Sequence, residues 1–286
     1  MHTTVTVTVA TEDAAGRLLL APVGIATPHQ TPVRFTVEGA PFSLVGEAGT
    51  GQMAALIAPR AGTPVTLTYD YVAGGPGYAE ALFGHRPNRY TIAADSLVDG
   101  ARRIATADGG EAGIAAIAQD VAAKFTYGHP ERRFYDGHDH IPDLACGVAE
   151  GSCVDINAYL IACLRAAGFE AGYVTGYFFP AEKHGRCDDM HCWVVTRHAG
   201  VVREWDIAHH LKLGEPVIRP GLNPKPGERV ALAHSMGLDF PDAGIRALKL
   251  LAEPVWLDSR GRTAKTLPLI QRDRLAGKAT DERRRA

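Results

Sequence analysis

The residue best placed for chemistry is Cys153, in the run Gly151-Ser152-Cys153-Val154-Asp155. Behind it Ile156, Tyr159, Leu160, Cys163, Leu164 and Ala167 recur at three- and four-residue steps, so the spacing predicts a helix with one apolar face that stops at Gly168. Ser152 is its cap, and Asp155, three residues on, completes an approximate capping box. Cys153 is then the first helical residue, where unpaired amides and the positive end of the helix dipole stabilise a thiolate. The competing account is a buried structural thiol, since free cysteine is among the most buried residue types. Cys163, on the apolar stripe, is read that way, and Cys146 as a bystander in a loop.

A nucleophilic thiol needs an imidazole to share its proton and an acceptor to hold that imidazole in one tautomer. His191 and Asp206 lie 38 and then a further 15 residues downstream, on strands predicted at 192–197 and 201–207. A two-residue turn at Ala199-Gly200 pairs His198 with Val201. His191 then lies opposite Ala208, with Asp206 on the diagonal and within reach of the ring. A three-residue loop would put the two on opposite faces. Tyr127, His209 and His210 are the candidate substrate-binding residues. The backbone amide of Cys153 is one oxyanion donor, and Tyr127 or a polar residue between 129 and 150 is the second. Cys192, next to His191 on a strand, points to the other face and is given no chemistry. Trp193 and Trp205 are read as packing residues.

A rival constellation is His184, Cys187, His191 and Cys192, whose side chains suit zinc. Its spacing matches no familiar finger, and adjacent strand residues diverge, so no metal and no cofactor is assigned.

The elements that must position these residues fall into two patterns. Residues 3–9 alternate Thr and Val as a half-buried strand does, and short runs at 17–20, 33–37, 53–57 and 65–71 repeat the pattern between Gly, Pro and Asp punctuation. That is an all-β N-terminal domain over 1–76, closed by Gly74-Gly75-Pro76-Gly77. From Ile114 to Phe125 the period becomes helical, 129–151 is an irregular polar loop, and 171–179 is a strand. A helix followed by an antiparallel meander makes an α+β core over 77–215. Prolines at 216, 220, 224 and 226 open an extension over 216–271 that packs on the core, and 272–286 is a charged, flexible tail.

With the elements in order, the chain resembles the transglutaminase-like superfamily, whose members share a papain-like Cys-His-Asp arrangement. The resemblance rests on Gly151-Ser152-Cys153, Leu164-Arg165-Ala166-Ala167-Gly168-Phe169, Tyr173-Val174-Thr175-Gly176-Tyr177, His191-Cys192-Trp193 and Trp205-Asp206, with Phe125-Thr126-Tyr127 upstream. It covers roughly residues 80–212. It implies Cys153 as nucleophile, His191 as base and Asp206 as the residue that orients it. It further implies a nucleophile helix packed on an antiparallel sheet and cleavage of an amide or peptide bond through a thioester. Bacterial members are more often hydrolytic than amine-transferring, and many carry an extra β domain. A non-catalytic binding protein of the same fold is the alternative.

Composition narrows the partners. A length of 286 residues suits two domains, and 46% hydrophobic with 22% charged residues is ordinary for a globular chain. A net charge of −2 argues against nucleic acid or an anionic membrane as partner and by itself gives none; the resemblance implies a peptide, protein or small amide substrate. Neither a basic leader nor a spanning apolar run is present, so a cytoplasmic location is expected, and five irregularly spaced cysteines read as reduced thiols. Oligomeric state is not indicated.

Overall fold

The computed structural model describes residues 2–12, 14–84, 86–145, 147–221 and 223–275. The N-terminal strands are β1 (His2–Val9), β2 (Leu18–Pro22), β3 (Gln30–Glu38), β4 (Phe42–Gly46), β5 (Met53–Ile57) and β6 (Val65–Ala73). Then follow α1 (Asp95–Asp108), α2 (Gly110–Ala123), β7 (Phe125–Tyr127), β8 (Ala149–Gly151), α3 (Cys153–Ala166) and β9 (Glu170–Pro180). After these come β10 (Arg186–Cys187), β11 (Met190–His198), β12 (Val201–Trp205), α4 (Ile207–Leu213) and β13 (Gly227–His234). The remaining strands are β14 (Leu238–Phe240), β15 (Ile245–Leu248), β16 (Val255–Leu257), β17 (Thr263–Lys265) and β18 (Leu269–Leu275).

Alternation in β1 buries Val5, Val7 and Val9 and leaves the threonines half-buried. β1 sits inside a five-stranded sheet of order β10-β18-β1-β6-β3, and a second five-stranded sheet runs β17-β16-β2-β5-β4. Val7, Leu67 and Tyr69 from the first share one apolar cluster with Leu19, Ile57 and Trp256 from the second, as in a β-sandwich. Both sheets are completed from the C-terminal part of the chain. β18 runs beside β1 from Thr8↔Leu269 to His2↔Leu275, and β16 lies on β2. This corrects two expectations. Residues 216–271 do not simply pack on the core, because only β13 joins the core sheet while β16 and β17 extend the sandwich. Nor does a tail begin at 272, since apolar and β-branched partners on β1 hold that segment to Leu275; residues 276–286 lie outside the described ones.

The site is carried by the other half. A four-stranded antiparallel sheet, order β12-β11-β9-β13, packs one face on α3, whose far side is covered by α1 and α2. Every residue of α3 from Cys153 to Leu164 is buried, so the helix is enclosed on all sides and not half-exposed as its stripe suggests. Helix α1 escapes the sequence reading because its buried face carries only Leu97, Ala101 and Ala105. Phe125 belongs to β7, not to the preceding helix; β7 pairs with β8 and sets Tyr127 opposite Gly151. The other face of the sheet meets the sandwich through Tyr177, Phe179, Val230 and Leu232.

The hairpin register is as expected. His198 pairs with Val201 across a turn whose two residues, Ala199 and Gly200, have φ of 47° and 79°. Pairing ends at Val194↔Trp205, however, and the predicted strand to 207 is cut short. Asp206 leaves the ladder at φ −131°, ψ 76° and caps α4 by accepting the His209 amide at 3.0 Å. Ala208 is thus helical and does not face His191. Among the described residues no helix is long and apolar enough to cross a membrane.

Candidate active site

Cys153 is the first residue of α3 and is 5% exposed. It lies at the floor of a cleft of about 270 Å³. His129, Arg133 and Met190 line one part of that cleft, and Lys249, Glu253 and Lys265 from the C-terminal segment line another. The helix start is built as its sequence implies: the Asp155 carboxylate accepts the Ser152 amide at 2.9 Å and the Ser152 hydroxyl at 2.7 Å. It also accepts Arg133 Nη1 and the Tyr135 hydroxyl, both at 2.6 Å. Although burial opposes it, these hydroxyl and amide donors hold Asp155 below the usual carboxylate range.

His191 comes from β11 with its ring buried. Its Nε2 donates to Asp206 Oδ2 at 2.9 Å, which leaves Nδ1 as the ring nitrogen available to the Cys153 thiol. Cys153, His191 and Asp206 are therefore brought together, although Asp206 arrives from a helix cap and not from a strand diagonal.

Three further groups converge on Asp206. Arg229 Nη2, from β13, contacts Oδ2, and His209 Nδ1 lies 2.8 Å from the same oxygen and 2.8 Å from Asn223 Oδ1. The His209 ring stacks on His191 with centroids 4.2 Å apart and planes 9° apart. The Arg229 guanidinium sits 4.9 Å from the centre of the Trp193 ring. Arg229 is a functional residue the sequence reading missed. Its one signal was an arginine directly before the apolar run Val230 to Ala233.

These neighbours set the resting charge. Burial pushes His191 down to about 3 against the pull of the Cys153 thiol, and His209 down to about 4. Burial also lowers Arg229, to about 9, so it is still cationic at neutral pH. The Cys153 thiol is pushed well above its usual range by its hydrogen bond with Cys192 and by burial, with His191 opposing. A helix N-terminus contributes roughly 1 kcal/mol, less than the desolvation of a buried charge. Both shifts favour neutral thiol and neutral imidazole over the ion pair expected from the helix dipole alone.

The other candidates fare differently. Tyr127 pairs with Gly151, two residues before Cys153, with its hydroxyl 3.2 Å from His129 Nε2 and its ring under Lys212 Nζ at 4.1 Å. His209 and His210 do not line the Cys153 cleft: both are buried, and His210 ties Asp206 O at 2.8 Å to the Arg219 amide at 3.2 Å. The zinc set does not assemble. His184 is exposed at a left-handed turn, and Cys187 faces the sandwich core with its thiol on Asp189 O at 2.9 Å. Among the described residues the metal-capable donors that meet are His191, Asp206 and His209, within 4.8 Å of one another. Arg229 already occupies their shared carboxylate with a positive charge. The four described cysteines are free thiols, and Cys146 lies outside the described residues.

Comparison with known proteins shows what part of the chain is similar to. Residues 98–201 match the transglutaminase-like superfamily core. A structure described as a candidate cysteine protease from Cytophaga hutchinsonii covers 96% of this chain and 98% of its own, with a TM-score of 0.51 and 14% identity. The periplasmic domain of TgpA from Pseudomonas aeruginosa covers 72% of this chain and 77% of its own (TM-score 0.36, 15% identity). A candidate protease from Parabacteroides distasonis covers 87% and 47% (TM-score 0.32, 11% identity). No curated protein matches the sequence. At such identities the likeness to the first of these speaks for the fold alone, and it extends over the β-sandwich as well as the core. Residues 98–201 of this chain are thus similar to the transglutaminase-like superfamily core, set within a larger α+β molecule.

Proposed function

We propose that this protein is a thiol-dependent amide or peptide hydrolase, with Cys153 as nucleophile, His191 as base and then acid, and Asp206 as the residue that orients His191. The observation that carries this reading is the buried His191 Nε2 to Asp206 Oδ2 contact of 2.9 Å, made beside a thiol that opens onto a cleft. Asp206 holds the proton on Nε2, so Nδ1 is free to take the Cys153 proton as sulfur attacks the carbonyl. Starting from a neutral pair, the proton moves with the attack and not before it. First-turn amides of α3, beginning with that of Cys153, have no intrahelical acceptor and can receive the oxyanion, with the nearby Tyr127 hydroxyl as second donor. His191 then protonates the leaving amine, and water resolves the thioester.

Transfer to an amine is the second reading. Glu253 favours it: this cleft carboxyl is pushed up to about 7 by burial, with Asp189 adding to the effect, and suits the task of receiving an amine. The test is intact-mass trapping of an acyl adduct on Cys153 from a peptide library, followed by a choice of water or amines as acceptor. Cys153→Ala should remove adduct and turnover, a loss of about 10³-fold or more, and Asp206→Asn should slow turnover by roughly 10²–10⁴-fold. Turnover that survives Cys153→Ala unchanged would sink the proposal.

A further inference from the structure

Two cysteines, Cys153 and Cys192, lie in the buried cluster at the head of α3. Cys153 and Asn157 are one turn apart, on the side that faces β11. Asn157 Nδ2 donates to the Cys192 carbonyl at 3.0 Å and to its Sγ at 3.3 Å. Cys192 is therefore pinned to the helix face that carries Cys153, and the two cysteines share one buried cluster. Their access differs: Cys192 is 0% exposed, whereas Cys153 opens onto the cleft. Beside Cys192 the Asn157 Oδ1 is buried with no hydrogen-bond partner. Such a polar group is costly in a core, and nothing in the triad requires it. The other described thiols are out of play. Cys163 lies ten residues further along α3, about 15 Å away, and Cys187 faces the sandwich.

We propose that Cys192 is a resolving cysteine: a hydroperoxide entering the cleft converts Cys153 and Cys192 into a reversible disulfide that turns the nucleophile off and protects it from further oxidation. The site stands on the two thiols themselves, and only its effect on turnover rests on the proposed function. In the first step Cys153 gives its proton to His191 and attacks a peroxide oxygen. The O–O bond breaks, a sulfenic acid forms, and the departing hydroxide (or alkoxide) takes that proton. The Cys192 sulfur then attacks the Cys153 sulfur, the S–O bond breaks, and hydroxide leaves as water with the Cys192 proton. Two electrons pass from the sulfurs to the peroxide, and a dithiol reductant returns them.

The experiment exposes the full chain to hydrogen peroxide, blocks remaining thiols, and reads intact mass, linked peptides and amide turnover. Wild type should lose about 2 Da with a Cys153–Cys192 linked peptide, and a dithiol should restore both mass and turnover. Cys192→Ser should show no such link and instead gain about 32 or 48 Da on Cys153, beyond rescue by a dithiol. Cys192→Ala, with its fold checked by thermal melting, serves as a second variant. Direct overoxidation of Cys153 in wild type, or a link to Cys146 instead, would overturn the proposal. A disulfide in protein without amide turnover would keep this site and remove the hydrolase reading. Turnover with overoxidation alone would do the reverse.

Discussion

A carboxylate that faces two imidazoles and a guanidinium cannot lend its whole charge to any one of them. Asp206 is in that position, and Arg229 holds the only permanent positive charge among its three side-chain neighbours. Burial is the main reason the proton affinity of His191 is pushed down to about 3, and the Arg229 charge adds to it. The acid limb of kcat/KM, which reports the free enzyme, should accordingly show no inflection near the ordinary imidazole value of 6.5. Arg229→Met removes the competing cation, so Asp206 then stabilises imidazolium and the acid limb moves up toward 6.5. Arg229→Lys keeps the charge and should leave the limb low. A profile on a model amide substrate that is the same in all three proteins would refute the electrostatic account. The three residues proposed as a triad could be singled out from residue type and order. Arg229 could not, because its role depends on a strand that reaches Asp206 only in space.

At the scale of elements, the site depends on how closely β13 approaches β9. Gly176 in β9 pairs with His191 on one side and Ala231 on the other. A Cβ added there would lie 1.9 Å from the Val230 carbonyl oxygen, so the strands could not stay paired at this spacing. Gly176→Ala should cost about 1–3 kcal/mol, measured as a lowered urea midpoint, and should reduce turnover by shifting Arg229 from Asp206. An unchanged midpoint would mean that the sheet yields locally at no cost. Local sequence was a good guide to the hairpin, since Ala199-Gly200 fixes its own two-residue turn. It was a poor guide to where β12 ends, because Asp206 leaves the strand to cap α4, a choice decided by the partners waiting for its carboxylate.

For the molecule as a whole, buried histidines set the response to acid. His191, His209 and His234 are pushed down to about 3, 4 and 4 by burial, and His210 is lowered for the same reason. Below 6.5 the unfolded chain binds protons that the folded one refuses, so stability is full above that pH and falls as pH drops toward 4 and 3. Glu253 acts oppositely: its folded value of about 7 exceeds the ordinary 4.5, so its contribution is lost as pH rises through 7. One acid does not outweigh these histidines. The melting temperature should be lower at pH 5 than at pH 7, with net proton uptake on unfolding at pH 5 by calorimetry; a flat or inverted trend would contradict this. The sequence by itself determined the α+β class, the alternating N-terminal strands, the capped helix bearing Cys153 and the hairpin register, because each follows from contacts between near neighbours. Only the tertiary structure decided that β18 closes a sheet begun by β1, that Asp206 arrives from a helix cap, and that Arg229 and Cys192 touch the site. Those are meetings between segments distant in sequence, and a linear pattern carries no record of which distant partner will desolvate a given group.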